Sequence, residues 1–119
     1  MRISENKVNP ALQRQVQEML FQAISDLKNP SEARQFFSDF FTEAEYEVFT
    51  KRMAIAYWLK KGRTYANIKK NLKVSSATIA NIQEMMTRPG FELLLKKVEA
   101  EEWATLWANR IKKFVGSTN

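Results

Sequence analysis

The 119-residue sequence contains no cysteine and no histidine. The chain therefore forms no disulfide, no thiolate or imidazole metal site, no cysteine nucleophile and no histidine general base. These absences exclude much of enzyme chemistry. We expect a protein that is not an enzyme and that uses no metal and no cofactor.

Long apolar runs are also absent. The first ten residues, MRISENKVNP, lack the apolar core of a signal peptide, and no later stretch is apolar enough to span a bilayer. We therefore expect a cytoplasmic protein with no membrane partner. Hydrophobic residues make up 45% of the chain, which is typical of globular proteins, and the length fits a single domain over residues 1–119.

Alternating strand patterns and internal repeats are missing, whereas apolar residues at helical spacing cover nearly the whole chain. We predict an all-α fold with about six helices. The first is expected from about Pro10 to Leu27, with one apolar face. Its apolar stripe consists of Leu12, Val16, Met19, Leu20, Ala23, Ile24 and Leu27.

The second predicted helix is rich in aromatic residues. Asn29 is expected to cap it and Pro30 to occupy its first position. Four phenylalanines lie within six positions, at Phe36, Phe37, Phe40 and Phe41. Their helical spacing favours packing in a core over a ring-stacking pocket.

The third predicted helix begins at Thr42, where Thr42 and Glu45 have the spacing of a capping box, and ends at Lys61 before Gly62. Its expected buried stripe is Val48, Phe49, Met53, Ile55, Ala56 and Leu59. Arg52 falls on this stripe, where an unpaired charge would be costly. We expect Arg52 to pair with Glu45, a helix end or a bound anion.

Acidic residues are missing from Val48 to Gln83, although the whole chain has 13 of them. The basic residues of this window are Lys51, Arg52, Lys60, Lys61, Arg63, Lys69, Lys70 and Lys73. The window therefore carries +8, and because the whole chain carries +6, the remainder carries −2. Such concentrated positive charge is typical of a protein that binds a polyanion.

Residues 64–86 have the pattern of a helix-turn-helix. Thr64 is expected to cap a short helix, Lys73 and Val74 to form the turn, and Ser75 to cap a second helix. The inward-facing residues are Ile68, Leu72, Ile79, Ile82 and Met86. The outward-facing residues of the second helix are Ser76, Ala77, Thr78, Ala80 and Asn81. Small residues on that face would let the helix backbone lie deep in a major groove.

A C-terminal helical extension is predicted over about residues 90–115, between a turn at Thr87 to Gly90 and Gly116. Its apolar residues form two stripes that are rotated by about a third of a turn. The first stripe is Phe91, Leu94, Leu95 and Val98, and the second is Trp103, Leu106, Trp107, Ile111 and Phe114. Either the helix bends, or its halves contact different surfaces, one of them on a second subunit. Trp103 and Trp107 are expected in core or dimer packing rather than an effector pocket, and Glu99 and Glu102 on a solvated acidic face.

Three segments, EARQFFSDFFTEAE, KRMAIAYWLKKGRTYANI and SSATIANI, follow one another in an order that resembles the tryptophan-repressor superfamily, in particular its YerC/YecD-type bacterial branch. The resemblance covers about Leu20 to Gln83. It implies an intertwined homodimer, in which the outer helices of both chains build one core and two helix-turn-helix units project from it. On a two-fold duplex site these units would meet successive major grooves about 34 Å apart.

The resemblance also implies contacts to double-stranded DNA. The contact positions of the family fall on Tyr65, Ala66, Lys69, Ser75, Ser76, Ala77, Thr78, Ala80 and Asn81. From the charge pattern, the expected phosphate contacts are Lys60, Lys61, Arg63, Lys69, Lys70 and Lys73, beside the Thr64 cap. Ser76, Ala77, Ala80 and Asn81 are expected to select the base sequence.

Two departures from the family limit the resemblance. Tryptophan-responsive members hold the amino acid between an arginine of the helix that corresponds to the third predicted helix and an Arg-Gly pair of the second helix of the helix-turn-helix. Arg52 matches the first arginine and remains a candidate effector or structural anion site, but Asn81-Ile82 replaces the pair and is expected to fill the ligand space. Tryptophan is therefore not the expected corepressor, and the effector is unknown. Lys73 stands where such turns often have glycine, at a cost of about 1 kcal/mol if it is left-handed.

We expect a sequence-specific double-stranded DNA-binding transcription regulator, which would repress by blocking polymerase access. The alternative is a protein–protein interaction module whose Trp-rich C-terminal helix docks a partner, with only incidental nucleic-acid binding. General RNA binding is a third reading, for which Tyr65 is the sole candidate aromatic platform in the helix-turn-helix.

Overall fold

The computed structural model describes the backbone of residues 5–117 and all of their side chains except those of Trp107 and residues 113–117. Six α-helices and no strand occur in this range, which confirms the predicted all-α fold. The helices are α1 (Pro10–Ser25), α2 (Pro30–Phe40), α3 (Glu43–Lys60), α4 (Tyr65–Leu72), α5 (Ser76–Met85) and α6 (Pro89–Ser117). None of these helices is long and apolar enough, over the described residues, to cross a membrane.

The chain divides into two compact units, residues 1–46 and residues 47–119. The single domain expected from length stays a prediction.

Side-chain caps begin the helices of the first unit. The Asn29 side chain accepts from the Glu32 N–H at 2.9 Å, and the Thr42 hydroxyl accepts from the Glu45 N–H at 3.1 Å. A carboxylate oxygen of Glu45 in turn accepts a hydrogen bond from the Thr42 N–H at 2.9 Å, so the predicted capping box is confirmed.

No described residue of the first unit is buried. Along the apolar stripe of α1, the exposed fractions are 50% for Leu12, 55% for Val16 and 66% for Met19. The helix ends at Ser25, two residues before the predicted Leu27. The stripe is present as predicted, but in the single chain it is open to solvent.

The four phenylalanines of the first unit do not form the predicted core anchor. Phe36 stacks on Phe40 with 5.1 Å between ring centroids, and Phe37 stacks on Phe41 at 5.2 Å. Phe40 is 62% exposed. The core interpretation is therefore wrong for the single chain, because rings that stack on their own helix neighbours still have an outer face open to water.

The second unit contains the buried core, which α3, α4, α5 and α6 build together. Its members are Ile55, Ala56, Ile68, Ile79, Ile82 and Leu95. Full burial of an isoleucine is worth about 1.5–3 kcal/mol, so each of the three isoleucines with less than 2% exposure contributes strongly to its stability. Val48 and Phe49, which were predicted to be buried, are 52% and 42% exposed, because the core contacts only the later turns of α3.

Helix α6 begins at Pro89 and continues to Ser117. The predicted turn at Thr87 to Gly90 is therefore wrong in its second half, since Pro89 fits a first helical position. Gly116 does not end the helix either. Leu95 is buried and Phe91 packs on the same core, whereas Trp103, Leu106 and Ile111 are 63%, 54% and 59% exposed. The two halves of α6 thus have different surroundings; the predicted packing of the Trp107 and Phe114 side chains falls outside the described residues.

Candidate nucleic-acid interface

Helices α4 and α5 form the predicted helix-turn-helix. The Thr64 hydroxyl caps α4 by accepting from the Asn67 N–H at 3.1 Å, and the Ser75 hydroxyl caps α5 by accepting from the Thr78 N–H at 3.1 Å. Between the caps, Lys73 is left-handed at φ 57° and ψ 52° and donates its N–H to the Lys69 carbonyl at 3.0 Å. The order of cap, short helix, turn, cap and second helix is therefore confirmed.

Side-chain burial fixes the orientation of α5. Ile79 is fully buried and Ile82 is 5% exposed, which places the opposite face of the helix in solvent. The exposed residues of that face and its flanks are Ser76, Ala77, Thr78, Ala80 and Asn81. The sequence pattern assigned these orientations correctly. Elsewhere among the predicted DNA-contacting residues, Tyr65 alone is partly buried, and the others are exposed.

The N-terminal cap of α5 already uses two of the predicted contact residues. The Ser75 and Thr78 hydroxyls are 2.9 Å apart and share a hydrogen bond, in addition to the cap bond from the Thr78 N–H. These two hydroxyls therefore hold the end of the helix. Among the predicted contact residues of α5, Ser76 and Asn81 remain as the exposed polar side chains that are not part of this cap.

Tyr65 connects the two helices of the motif. Its hydroxyl donates a hydrogen bond to the side-chain oxygen of Gln83, which lies 18 residues later. The ring also packs against the buried core. Tyr65 thus positions α5 against α4. The sequence pattern did not single out Gln83, because a hydrogen bond between side chains 18 residues apart leaves no periodic signal.

The basic residues near α4 fall into two groups. Lys69, Lys70 and Lys73 are exposed on or just after α4, as predicted. Arg63 is held more firmly: its guanidinium carbon lies 4.0 Å from the centroid of the Trp58 ring. This cation–π contact places a fixed positive charge directly before the Thr64 cap.

Lys60 and Lys61, both predicted phosphate contacts, pair with acids of α6. Lys60 Nζ lies 3.0 Å from a Glu99 carboxylate oxygen, and Lys61 Nζ lies 3.0 Å from Glu102. Tyr57 also donates its hydroxyl to Glu102. The predicted solvated acidic face is therefore wrong for Glu99 and Glu102, because α6 runs along the end of α3.

These contacts shift the proton affinities of the cluster. The hydrogen bond from Tyr57, followed by that from Lys61, lowers the pKa of Glu102. The same carboxylate raises the pKa of Lys61 and of the Tyr57 hydroxyl. At neutral pH the cluster therefore contains a carboxylate, an ammonium group and a neutral phenol.

Arg52 is exposed rather than buried, and its guanidinium lies 5.8 Å from the Phe49 ring centroid. The predicted partner Glu45 is instead occupied by the capping box. Arg52 lines a pocket of about 320 Å³ together with Asn81 and Ile82. Ile82 is 5% exposed and itself lines this pocket, so the expectation that Asn81-Ile82 fills the ligand space of the family stays a prediction.

Comparisons with known proteins agree with this geometry. The family model described as Trp repressor protein matches residues 15–99, which include all of α2 to α5. The uncharacterized protein YerC of Bacillus subtilis (strain 168) is 30% identical over 87 residues, covering 71% of this chain and 84% of that protein. The crystal structure of a TrpR-like protein from Eubacterium eligens ATCC 27750 has a TM-score of 0.67 and 32% identity, and the match covers 76% of this chain and 96% of the other. The chain thus has the helix-turn-helix fold of a regulator and belongs to the Trp repressor family.

Proposed function

We propose that this protein is a sequence-specific regulator of transcription that binds double-stranded DNA and inserts α5 into the major groove. The observation that carries the proposal is the exposed face of α5, where small and polar residues project from a helix whose other face is buried. This face belongs to a stretch, Val48 to Gln83, that contains eight basic residues and no acidic one. The exposed position of these side chains, their small size and the positive charge of the stretch around them therefore all favour double-stranded DNA as the ligand.

Different residues would supply affinity and sequence selection. Lys69, Lys70 and Lys73 would neutralise phosphates, which gives binding that weakens steeply with salt. Ala77 and Ala80 would allow close approach of the α5 backbone to the bases. Ser76 and Asn81 would read base edges, since an asparagine amide pairs with the N6 and N7 atoms of adenine.

The proposal includes a homodimer. The exposed apolar stripe of α1 supports it, because a helix with Leu12, Val16 and Met19 all at least half exposed needs a covering surface. A second copy would supply that surface and a second α5 for the next major groove.

Val16→Glu should convert the dimer to a monomer in sedimentation experiments, while Gln17→Glu, one residue further along α1, should not. A wild-type monomer at micromolar concentration would contradict this part.

We also propose that the protein is cytoplasmic, is not an enzyme, represses by blocking polymerase access and does not respond to tryptophan. The last point rests on Asn81, because a neutral amide at the Arg52 pocket cannot pair with a carboxylate as a guanidinium does. Calorimetric titration with tryptophan should show no binding heat. Saturable binding that Arg52→Ala removes would contradict it.

Selection of bound sequences from a random duplex pool tests the main proposal. We expect a two-fold symmetric consensus. Lys69→Ala should weaken all sequences alike and lower the slope of log affinity against log salt by about 0.9 per lost phosphate contact. Asn81→Ala should instead remove about 1–3 kcal/mol of preference at one base position. A pool with no enriched sequence would overturn sequence-specific binding.

The exposed distal half of α6 favours a second candidate function, a protein–protein interaction module. Trp103 is 63% exposed and Leu106 is 54% exposed, and aromatic residues of this kind often anchor interfaces. The double variant Trp103→Ser/Leu106→Ser distinguishes the two functions. Under the DNA proposal it keeps the selected consensus, whereas under the alternative no consensus exists and the variant loses its protein partner.

A further inference from the structure

The stretch from Val48 to Gln83 is free of acidic residues in sequence but not in space. Helix α6 brings two acids to it, because Glu99 contacts Lys60 and Glu102 contacts Lys61, each at 3.0 Å. Lys51 is also paired, with Glu47 of its own helix at 3.1 Å, so three of the eight positive charges of the stretch are compensated within the chain, two of them by α6. A third interaction, from the Tyr57 hydroxyl, holds Glu102 on the same side of α3.

The position of the two lysines gives these pairs a functional meaning. Lys60 ends α3, and Lys61 lies three residues before the Thr64 cap of α4. The first helix of a helix-turn-helix crosses the phosphate backbone. Lys60 and Lys61 directly precede this helix in the chain and are among the predicted phosphate contacts, so we take them to lie at the edge of the proposed DNA surface.

The exposure of the pairs makes them reversible. The lysine side chains are 44% exposed, and those of Glu99 and Glu102 are 37% and 40% exposed. Ion pairs at such exposure contribute little to stability and are screened by salt. A phosphate that approaches Lys60 or Lys61 therefore competes with a carboxylate for the same ammonium group on similar terms.

We propose that Glu99 and Glu102 are internal competitors of DNA phosphate for Lys60 and Lys61, so that docking of α6 on α3 limits the affinity of the chain for DNA. The inference rests on the proposed DNA-binding function. Glu99 is the last residue of the family match, and Glu102 lies beyond it.

The test measures duplex affinity as a function of salt for the full chain and for Glu99→Gln/Glu102→Gln. Glutamine keeps the size of the side chain and one acceptor oxygen but removes the charge. We expect the double variant to bind about tenfold tighter at about 50 mM salt, with a log–log salt slope steeper by up to about 2 per chain. Lys60→Ala/Lys61→Ala should have little effect in the wild-type background and should abolish the gain in the double variant.

Glu101→Gln is the matched control, because Glu101 is exposed on the same turn of α6 and its removal changes the net charge in the same way. If Glu101→Gln raises log affinity by half as much as the double variant does, general charge rather than competition is responsible, and the inference is overturned. Equal affinity and slope for wild type and Glu99→Gln/Glu102→Gln would overturn it as well. A wild type that binds no duplex would instead overturn the proposed function itself, and the inference with it.

Circular dichroism distinguishes release of the lysines from loss of α6. Equal helical content in wild type and Glu99→Gln/Glu102→Gln is expected. If the helical content falls, Tyr57→Phe provides a milder variant, since it removes one of the two bonds that hold Glu102 beside Lys61. Tyr57→Phe should raise duplex affinity less than Glu99→Gln/Glu102→Gln does. If neither variant raises duplex affinity, the proposal is contradicted.

Discussion

Helices on either side of residue 46 have similar apolar stripes but different environments. In α4 and α5, Ile68 and Ile79 are fully buried, whereas in α1 the stripe residues Val16 and Met19 are more than half exposed. The buried isoleucines meet apolar residues of α3 and α6 from the same chain. An amphipathic stripe therefore shows that a helix needs a partner, and only the fold shows whether that partner lies in the same chain.

The two regions also differ in their use of aromatic residues. The phenylalanines of α2 stack on one another, and Phe40 remains 62% exposed. In the second unit, the Trp58 and Tyr57 rings instead pack on the core and contact the cations of Arg63 and Lys61. Aromatic content alone thus did not locate the core, which is built mainly from isoleucine.

The largest effect is expected from Ile79→Ala, which breaks the region that is complete within one chain. Removal of a fully buried isoleucine side chain should lower the free energy of unfolding by about 2–5 kcal/mol. Urea denaturation measures the change, which should not depend on protein concentration. Met19→Ala in α1 is the counterpart: its effect should grow as the protein is diluted, because it acts through the second copy. If Ile79→Ala and Met19→Ala lowered the free energy of unfolding equally, and by the same amount at every protein concentration, the two apolar stripes would not differ in where their partners lie.

A comparison of Ser75→Ala with Ser76→Ala distinguishes residues that stabilise the helix-turn-helix from residues proposed to contact the bases. Loss of the cap hydroxyl should lower the free energy of unfolding by about 1 kcal/mol. Ser76→Ala, one residue further along, should leave stability within about 0.5 kcal/mol of wild type and change the preferred DNA sequence. Thermal unfolding and duplex selection together measure both. Equal destabilisation by the two variants would contradict the assignment of Ser75 as the cap.

The turn at Lys73 provides a smaller effect of opposite sign. Lys73→Gly should raise the free energy of unfolding by about 0.5–1 kcal/mol, because glycine adopts a left-handed φ without the steric cost of lysine. The same change removes a phosphate contact, so the salt slope of DNA binding should fall by about 0.9. Gly62→Ala is the control, since Gly62 has φ 83° and alanine there should be destabilising. A stabilising Gly62→Ala would contradict this account of the two turns.

The smallest expected effect is a loss of stability in acid. Hydrogen bonds to Thr42 lower the pKa of Glu45, and those from Tyr57 and Lys61 lower the pKa of Glu102. A carboxyl whose folded pKa is lowered contributes stability above its usual pKa of 4.5, and that contribution is lost as pH falls through the folded value. Glu45→Gln and Glu102→Gln should each flatten the fall of the urea midpoint in this range.

Glu101→Gln serves as the control for both carboxyls. Because its charge is removed from the same exposed turn as Glu102, it should leave the acid dependence of the urea midpoint closer to wild type. An acid profile flattened equally by all three variants would show that the bonds to Thr42, Tyr57 and Lys61 do not govern it.

Local signals determined much of the candidate site. The caps at Thr64 and Ser75, the turn at Lys73 and the outward placement of Asn81 all followed from residue type and helical spacing, and the structure confirms them. These features depend on interactions within about one helical turn. The use of Thr78 inside the cap was missed, because a serine and a threonine three residues apart are compatible with either role.

Long-range pairs could not be predicted in the same way. Tyr65 with Gln83, and Lys61 with Glu102, join residues that are far apart in sequence and carry no shared period. The pocket that Arg52 of α3 lines together with Asn81 and Ile82 of α5 likewise depends on how two helices pack.

The sequence by itself determined the helical class, the helix-turn-helix and the concentration of positive charge around it, because each is set by neighbouring residues. Only the tertiary structure decided which apolar stripes are buried and which lysines remain free. Those outcomes depend on the elements that pack against each helix: α3 and α6 cover the isoleucines of α4 and α5, and α6 carries acids to a stretch that has none of its own.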